Sequence, residues 1–145
     1  MNLFDLFAES SLPEGCYAEG DKPTRGEIFA FGSNLAGRHG KGAAQDAMRL
    51  YGATYGQGIG LQGRSYGIPT KDRYLNILPL VEIQRRVTGF VEFTRDNPQM
   101  KFFITRVACG LAGYTDEEIA PMFNGIKANC RIHFKWHKLV KRSLK

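Results

Sequence analysis

Residues 27 to 42 read EIFAFGSNLAGRHGKG, a short apolar strand that runs directly into a glycine-rich loop. The continuous apolar stretch over 27–31 predicts a buried strand. A helix is predicted to begin near Ala43 and to continue to Leu50, with Gly52 as its stop, because glycine readily adopts the left-handed backbone that ends many helices. The succession of strand, glycine-rich loop and helix is typical of α/β proteins.

The same succession recurs towards the C-terminus. Further strands are predicted over 65–70, 101–107 and 130–134, and further helices over 79–96 and 115–123. The long helix is predicted from an apolar stripe at helical spacing, and the last helix is predicted from a capping box of Thr115 and Glu118. Upstream, residues 2–8 have the spacing of a short helix and residues 9–26 read as loop. We therefore expect an α/β fold with a mainly parallel sheet and helices on both faces.

The composition is that of an ordinary globular domain. Its 145 residues are 43% hydrophobic and 23% charged, which excludes the disordered, collagen-like and coiled-coil classes. Neither a signal peptide nor a membrane span is expected, because no segment has the charge pattern or apolar length of either. The chain has three cysteines, which is an odd number, and no two of them have a C-x-x-C spacing. We therefore expect reduced thiols, a cytoplasmic location, and no disulfide framework or metal site.

The positive charge is concentrated at the C-terminus. Residues 131–145 carry six basic groups and no acid, which equals the net charge of +6, so residues 1–130 balance to zero. We interpret this basic tail as a solvated end of the chain. The alternative is a tail that contacts the phosphates of a nucleic acid or a nucleotide. Phe134 and Trp136 would add base stacking, unless they belong to a docked last strand.

Two glycine-rich loops, over 32–42 and 109–114, leave predicted strands and enter predicted helices. Ligands of parallel α/β sheets bind beyond the carboxyl ends of the strands. Glycine lets backbone amides approach a phosphate, and a helix N-terminus adds partial positive charge. Together the loops predict a crevice for a diphosphate, although a tight turn explains each loop alone equally well. Asn34 would suit ribose hydroxyls, and Arg38 and His39 are expected to be exposed near the phosphates.

Two common nucleotide motifs are incomplete in this chain. The first loop is no P-loop, because Gly42 stands where serine or threonine is needed. Residues 58–63, GIGLQG, match the dinucleotide fingerprint G-x-G-x-x-G. No apolar strand precedes this segment, and a strand rather than a helix is expected after it. We interpret the match as coincidence in a chain with 17 glycines.

Lys71 and Asp72 follow a predicted strand and should therefore lie at the rim of the sheet. A surface turn explains the pair as well as a catalytic role does. A partly desolvated Lys71 would be nucleophilic and able to attack C1 of a ribose. Asp72 would oppose this by stabilising the ammonium form, unless the two side chains diverge.

Four segments together resemble the macrodomain family, and most closely its subgroup typified by the terminal ADP-ribose protein glycohydrolase. They are Phe31-Gly32-Ser33-Asn34, Gly40-Lys41-Gly42-Ala43-Ala44, residues 67–72 and residues 106–114. The resemblance covers about residues 27–134, and leaves out an N-terminal extension, 1–26, and the basic tail, 135–145. It implies a single domain with a three-layer α/β/α fold that binds ADP-ribose without a cofactor.

The resemblance also implies roles for individual residues. Contacts to the distal ribose and the diphosphate would come from Ser33, Asn34, Gly40, Lys41 and Gly42. The diphosphate would be wrapped from the other side by Cys109, Gly110, Leu111, Ala112, Gly113 and Tyr114. Lys71 matches the nucleophilic lysine of the subgroup. Ala112 stands where the subgroup has its catalytic aspartate, so Asp116 or Asp72 would have to act as the general acid or base.

Three functions are compatible with these features. The first is a protein that binds ADP-ribose or a related nucleotide and hydrolyses ADP-ribosyl esters on proteins or nucleic acid, with Lys71 as nucleophile or electrostatic anchor. The second is a binding module without catalysis, which Ala112 favours. The third is an accessory protein that contacts nucleic acid weakly through the basic tail, although the neutral charge of residues 1–130 argues against nucleic acid as the main ligand.

Overall fold

A six-stranded sheet forms the centre of the computed structural model, which describes residues 12–110 and 112–144. Its strands are β1 (Cys16–Tyr17), β2 (Glu27–Asn34), β3 (Gly60–Gln62), β4 (Ser65–Lys71), β5 (Lys101–Ile104) and β6 (Cys130–His133). The spatial order is β1-β6-β5-β2-β4-β3, and every neighbouring pair is parallel except β3 and β4. The predicted α/β class and mainly parallel sheet are confirmed. The helix predicted over 2–8 lies outside the described residues.

Three α-helices connect these strands: α1 (Gly42–Leu50), α2 (Leu80–Asp96) and α3 (Asp116–Ile119). Short 3-10 helices follow at Ala120–Phe123 and Phe134–Trp136. The predicted stop of α1 is confirmed, because Gly52 has a φ of +75° just beyond the helix. The capping box is also confirmed, with Glu118 N donating to Thr115 Oγ1 at 3.2 Å and Thr115 N donating to Glu118 Oε1 at 3.1 Å.

The apolar side chains of β2 alternate between two core clusters. Phe29 and Phe31 belong to the cluster that includes Ala44 and Ala47 of α1. Ala30 belongs to the other cluster, which includes the buried side of α2. Because successive side chains of a strand point to opposite faces of a sheet, α1 and α2 pack against different faces.

Two edge strands were not expected from the sequence. β1 has only two residues, too few for a periodic pattern, and β3 lies inside the glycine-rich segment 53–64. These glycines serve close packing of backbones. A Cβ at Gly58 would collide with the carbonyl oxygen of Asn34, and one at Gly67 with the carbonyl oxygen of Gly58. No helix follows residues 58–63, in agreement with our interpretation of the GIGLQG match.

The basic tail packs against the body of the protein, so its interpretation as a solvated end is wrong. Trp136 is fully buried and Val140 is almost so. Arg142 Nη1 donates to the carbonyl oxygens of Lys127 and Cys130 at 2.8 and 2.9 Å, and Nη2 donates to that of Gly15 at 2.9 Å. The tail forms a 3-10 helix, a turn and a segment without regular secondary structure rather than a docked strand.

Candidate functional site

Four parallel strands end at one cavity of about 830 Å³. It is lined by Asn34 and Lys71 at the ends of β2 and β4, by Thr105 just after β5, and by His133 at the end of β6. The cavity therefore lies beyond the carboxyl edge of the sheet, where α/β proteins hold their ligands.

The first glycine-rich loop is braced by its own polar side chains. Asn34 Oδ1 accepts from Arg38 N at 2.9 Å, and Asn34 Nδ2 donates to Arg38 O at 2.7 Å. Ser33 Oγ donates to the carbonyl oxygen of Gly58. Ser33 and Asn34 both line the cavity, but these side-chain groups already serve to shape the loop. The expected contact of Asn34 with ribose hydroxyls would have to compete with the Arg38 bonds.

His39 is fully buried, so the expectation that it is exposed is wrong. Its Nε2 lies 3.0 Å from the carbonyl oxygens of both Thr54 and Gln57. Because both partners are acceptors, Nε2 must carry the hydrogen and donate it. His39 therefore ties the first loop to the segment that precedes β3, whereas Arg38 beside it lines the cavity.

The first loop ends at the N-terminus of α1, which opens onto the cavity. Lys41 is the N-cap residue and its side chain makes no capping hydrogen bond. Gly40, Lys41, Gly42 and Ala44 all line the cavity. The first amides of a helix have no partner within the helix and carry partial positive charge. This end of α1 can therefore receive an anion.

The second glycine-rich loop forms the facing wall. Ala108, Gly110 and Ala112 line the cavity, and a Cβ on Gly32 would lie 3.6 Å from Ala108 N. The segments after Phe31 and after β5 are thus neighbours at one cavity, as the sequence predicts. No described residue accepts a hydrogen bond from the backbone amide of Ala108 or of Gly110.

Other predicted residues of this loop point to structural roles. Among its described residues, Cys109, Gly113 and Tyr114 do not line the cavity. Burial, with the nearby Asp116 carboxylate, raises the pKa of the Cys109 thiol to about 12, so this thiol stays protonated at neutral pH. Tyr114 Oη donates to Leu78 O at 2.7 Å and fixes the loop to the chain before α2. Leu111 lies outside the described residues.

Lys71 is half-buried at the end of β4 and lines the cavity. It forms no ion pair with a carboxylate anywhere in the described part of the chain. The carboxylate of Asp72 is engaged elsewhere, since its Oδ1 accepts from Tyr74 N and Asn76 N at 2.8 and 2.9 Å. The hydrogen bond from the backbone of Asn76 is the main cause that lowers the pKa of Asp72. Asp72 therefore forms no ion pair with Lys71, and its carboxylate binds the backbone of its own turn instead.

Asp116 is held by a network outside the cavity wall. Its Oδ1 accepts from Arg106 Nε at 2.9 Å and from Trp136 Nε1 at 2.6 Å, and its Oδ2 accepts from Arg106 Nη2 at 2.6 Å. The Arg106 hydrogen bonds are the largest cause that lowers the pKa of Asp116 to about 2. Such a carboxylate stays ionised at neutral pH and has no proton to donate. The geometry therefore gives no support to Asp116 as general acid or base.

The far end of the cavity contains polar residues that sequence reasoning missed. His133 is buried there, and its Nδ1 accepts from Lys135 N at 3.1 Å, which assigns the hydrogen to Nε2. That Nε2 has no hydrogen-bond partner among the described residues, the nearest carboxylate being Glu19 at 3.6 Å. Burial lowers the pKa of His133, so the ring is neutral at pH 7. Glu19 and Asp21 also line this end, and their place in an irregular loop gave no periodic signal.

The charge around the cavity is mixed. The cationic side chains that line it are Arg38, Lys41, Lys71 and Arg106, and the anionic ones are Glu19, Asp21 and Asp46. Opposite charges on one cavity suit a ligand that carries both anionic phosphates and hydrogen-bond donors. Residues 12–110 and 112–144 contain no cluster of histidine, cysteine and acidic side chains that could hold a metal ion.

Comparisons with known proteins give no functional name. No family model and no curated protein matches the chain. Among solved structures, the chain is similar to a crystal structure of a protein from Bacteroides thetaiotaomicron, with 15% sequence identity and a TM-score of 0.47, over 88% of this chain and 99% of that one. None of the helices in the described ranges is both long and apolar enough to cross a membrane.

Proposed function

We propose that the protein is a macrodomain-like, three-layer α/β/α domain that binds ADP-ribose or a closely related nucleotide. One observation carries this proposal: two strand-end glycine loops and the uncapped N-terminus of α1 line the same cavity. Amides at a helix N-terminus and in a glycine loop are a common protein environment for a diphosphate. The cavity volume of about 830 Å³ is also within the range of small-molecule sites.

Within this proposal, the groups that line the cavity determine the orientation of the ligand. The diphosphate lies between the N-terminus of α1 and Gly110, with Arg38 and Lys41 nearby. The terminal ribose lies towards Lys71, at the end of β4. The nucleobase lies at the opposite end, where the free N–H of His133 and the carboxylate of Glu19 offer one donor and one acceptor.

Within this proposal the site hydrolyses an ADP-ribosyl ester, and Lys71 is the nucleophile. Once the Lys71 ammonium has given up a proton to solvent, its amine attacks C1 of the terminal ribose, the bond from C1 to the ester oxygen breaks, and the carboxylate of the modified side chain leaves with the electron pair. Water then attacks C1, the bond from C1 to the lysine nitrogen breaks with its electron pair returning to the nitrogen, and the added water releases one proton to solvent. A carboxylate is a stable leaving group that needs no added proton, so an ester tolerates the absence of an acid at Ala112 better than an amine-linked ribose would.

Binding is tested by titrating the protein with ADP-ribose in a calorimeter. We expect heat release for the wild type and at least a roughly 100-fold loss of affinity for Gly110→Glu, whose carboxylate repels the diphosphate. A Cβ at Gly110 would meet no neighbouring atom within 4 Å, so the fold should accept the change. Gly89→Glu on the exposed side of α2, with equally open surroundings, is the control. No heat from the wild type at millimolar ADP-ribose would contradict the proposal.

A weak contact with nucleic acid remains a separate prediction for the basic tail. Deleting the tail would remove the buried Trp136 and is therefore no clean test. Lys135, Lys138 and Lys141 are exposed, and we expect their joint replacement by glutamate to abolish binding of a single-stranded oligonucleotide in a fluorescence anisotropy assay, while ADP-ribose affinity is unchanged. The dependence of oligonucleotide affinity on salt concentration should become shallower as each lysine that binds a phosphate is replaced. Unchanged oligonucleotide affinity would exclude the tail as the binding surface.

A further inference from the structure

The turn after Lys71 is held together by several hydrogen bonds. Asp72 N donates to Asn76 O at 2.8 Å, and the Asp72 carboxylate accepts from the amides of Tyr74 and Asn76. Leu75 N donates to Asp72 O at 3.2 Å. One carboxylate and two backbone hydrogen bonds therefore fix the conformation of the residues at the tip.

Leu75, at this tip, has a left-handed backbone with a φ of +67°. This backbone conformation is disfavoured for a residue with a bulky side chain such as leucine, and glycine or asparagine would be the ordinary choice. In the described ranges just one other non-glycine residue has a positive φ, Ala108 at +64°. Both residues line the cavity. Backbone strain that occurs twice at one site points to a function at that site.

Packing in the core does not explain why a leucine occupies position 75. Its side chain is 41% exposed, so it contributes little to the core, and the turn is held by Asp72 rather than by the leucine. A leucine side chain offers a ligand no hydrogen bond. What it can do at a cavity wall is exclude water and contact the CH groups of a ligand.

We propose that Leu75 is a ligand-contacting residue, an apolar lip that packs against the terminal ribose and shields the Lys71 amine from water once the ligand is bound. The proposal rests on the proposed function. It adds that the strained turn after β4 selects for a sugar beyond the diphosphate. A ligand that ends at the second phosphate does not reach the lip.

The test compares ADP-ribose with ADP on Leu75→Asn, which fits a positive φ without the apolar side chain. We expect about a tenfold loss of affinity for ADP-ribose, no change for ADP, and a Tm that stays within about 2 °C of the wild type or rises. Leu75→Gly repeats the test with a residue that fits the same φ. Leu75→Met, which keeps an apolar side chain, should bind ADP-ribose with nearly the affinity of the wild type.

Tyr74→Asn is the matched control, because Tyr74 is 85% exposed in the same turn and does not line the cavity. It should leave both affinities unchanged. If the wild type binds ADP-ribose and Leu75→Asn binds it equally well, or if ADP affinity falls in parallel, the role of Leu75 is overturned and the proposed function stands. If the wild type binds neither ligand, both fail. A lower Tm with unchanged affinity would give Leu75 a structural role only.

Discussion

Replacing Lys71 with alanine is expected to lower the release of ADP-ribose from an ADP-ribosylated protein by about 100-fold or more, as loss of a nucleophile does. Affinity for free ADP-ribose should fall by about tenfold or less, because one cation among several at the cavity is removed. The measurement is single-turnover release of ADP-ribose from a glutamate-linked substrate, alongside calorimetry with the free nucleotide.

Lys71→Arg separates the two roles of the amine. A guanidinium keeps the positive charge but remains protonated, so it can anchor the ligand without attacking it. We expect near wild-type binding and no turnover. Lys101→Ala, an exposed lysine at the start of β5 and thus at the opposite end of the strand from the cavity, is the control. Turnover that survives in Lys71→Ala would refute the nucleophile. A wild type that binds ADP-ribose but releases none would establish the binding module without catalysis.

Replacing Asp116 with alanine is expected to lower the free energy of unfolding by about 3 kcal/mol. The change leaves the Arg106 guanidinium without its carboxylate and the buried Trp136 Nε1 without its acceptor. Urea denaturation measures the loss. Glu117→Ala, an exposed acid in the same first turn of α3, should cost only about 0.5 kcal/mol or less. Equal effects of the two changes would show that the network is not stabilising.

The Asp116 network also predicts how stability depends on pH. The pKa of Asp116 is lowered in the folded protein, from the usual 3.8 to about 2. The carboxylate therefore stabilises the fold fully above about pH 4, and this contribution is lost as the pH falls towards 2. For the wild type relative to Asp116→Asn, we expect the stability difference to shrink by about 2 kcal/mol over that window. A difference that stays constant from pH 5 to 2 would contradict this.

The parts of the fold that could be predicted are those in which neighbouring residues carry the signal. Strand β2, its loop and α1 follow one another without interruption, and the capping box of α3 lies within four residues. The bracing of Asn34 by Arg38 is also local, but sequence alone does not tell a loop brace from a ribose contact, because the same amide group can serve either.

The parts that could not be predicted depend on contacts between distant residues. Asp116 meets Trp136 across 20 positions, and that contact turns a candidate catalytic acid into a structural carboxylate. In the sequence His133 has the pattern of an ordinary strand residue, because its buried N–H faces a cavity that exists only once β6 lies beside β5. The docking of the tail depends on carbonyl groups of the backbone. Every residue has such a group, so the sequence does not show which ones the tail will contact.

The burial of Trp136 and the hydrogen bonds of Arg142 have a consequence for the synthesis of the protein. The ribosome makes the chain from its N-terminus, and domains fold as their segments emerge. Strand β6 and the tryptophan that anchors Asp116 follow both glycine loops in the chain, so the nascent chain holds these loops before it has the wall and the anchor that complete the cavity. Under the proposed function, nucleotide binding should thus begin only after β6 and Trp136 have left the ribosome.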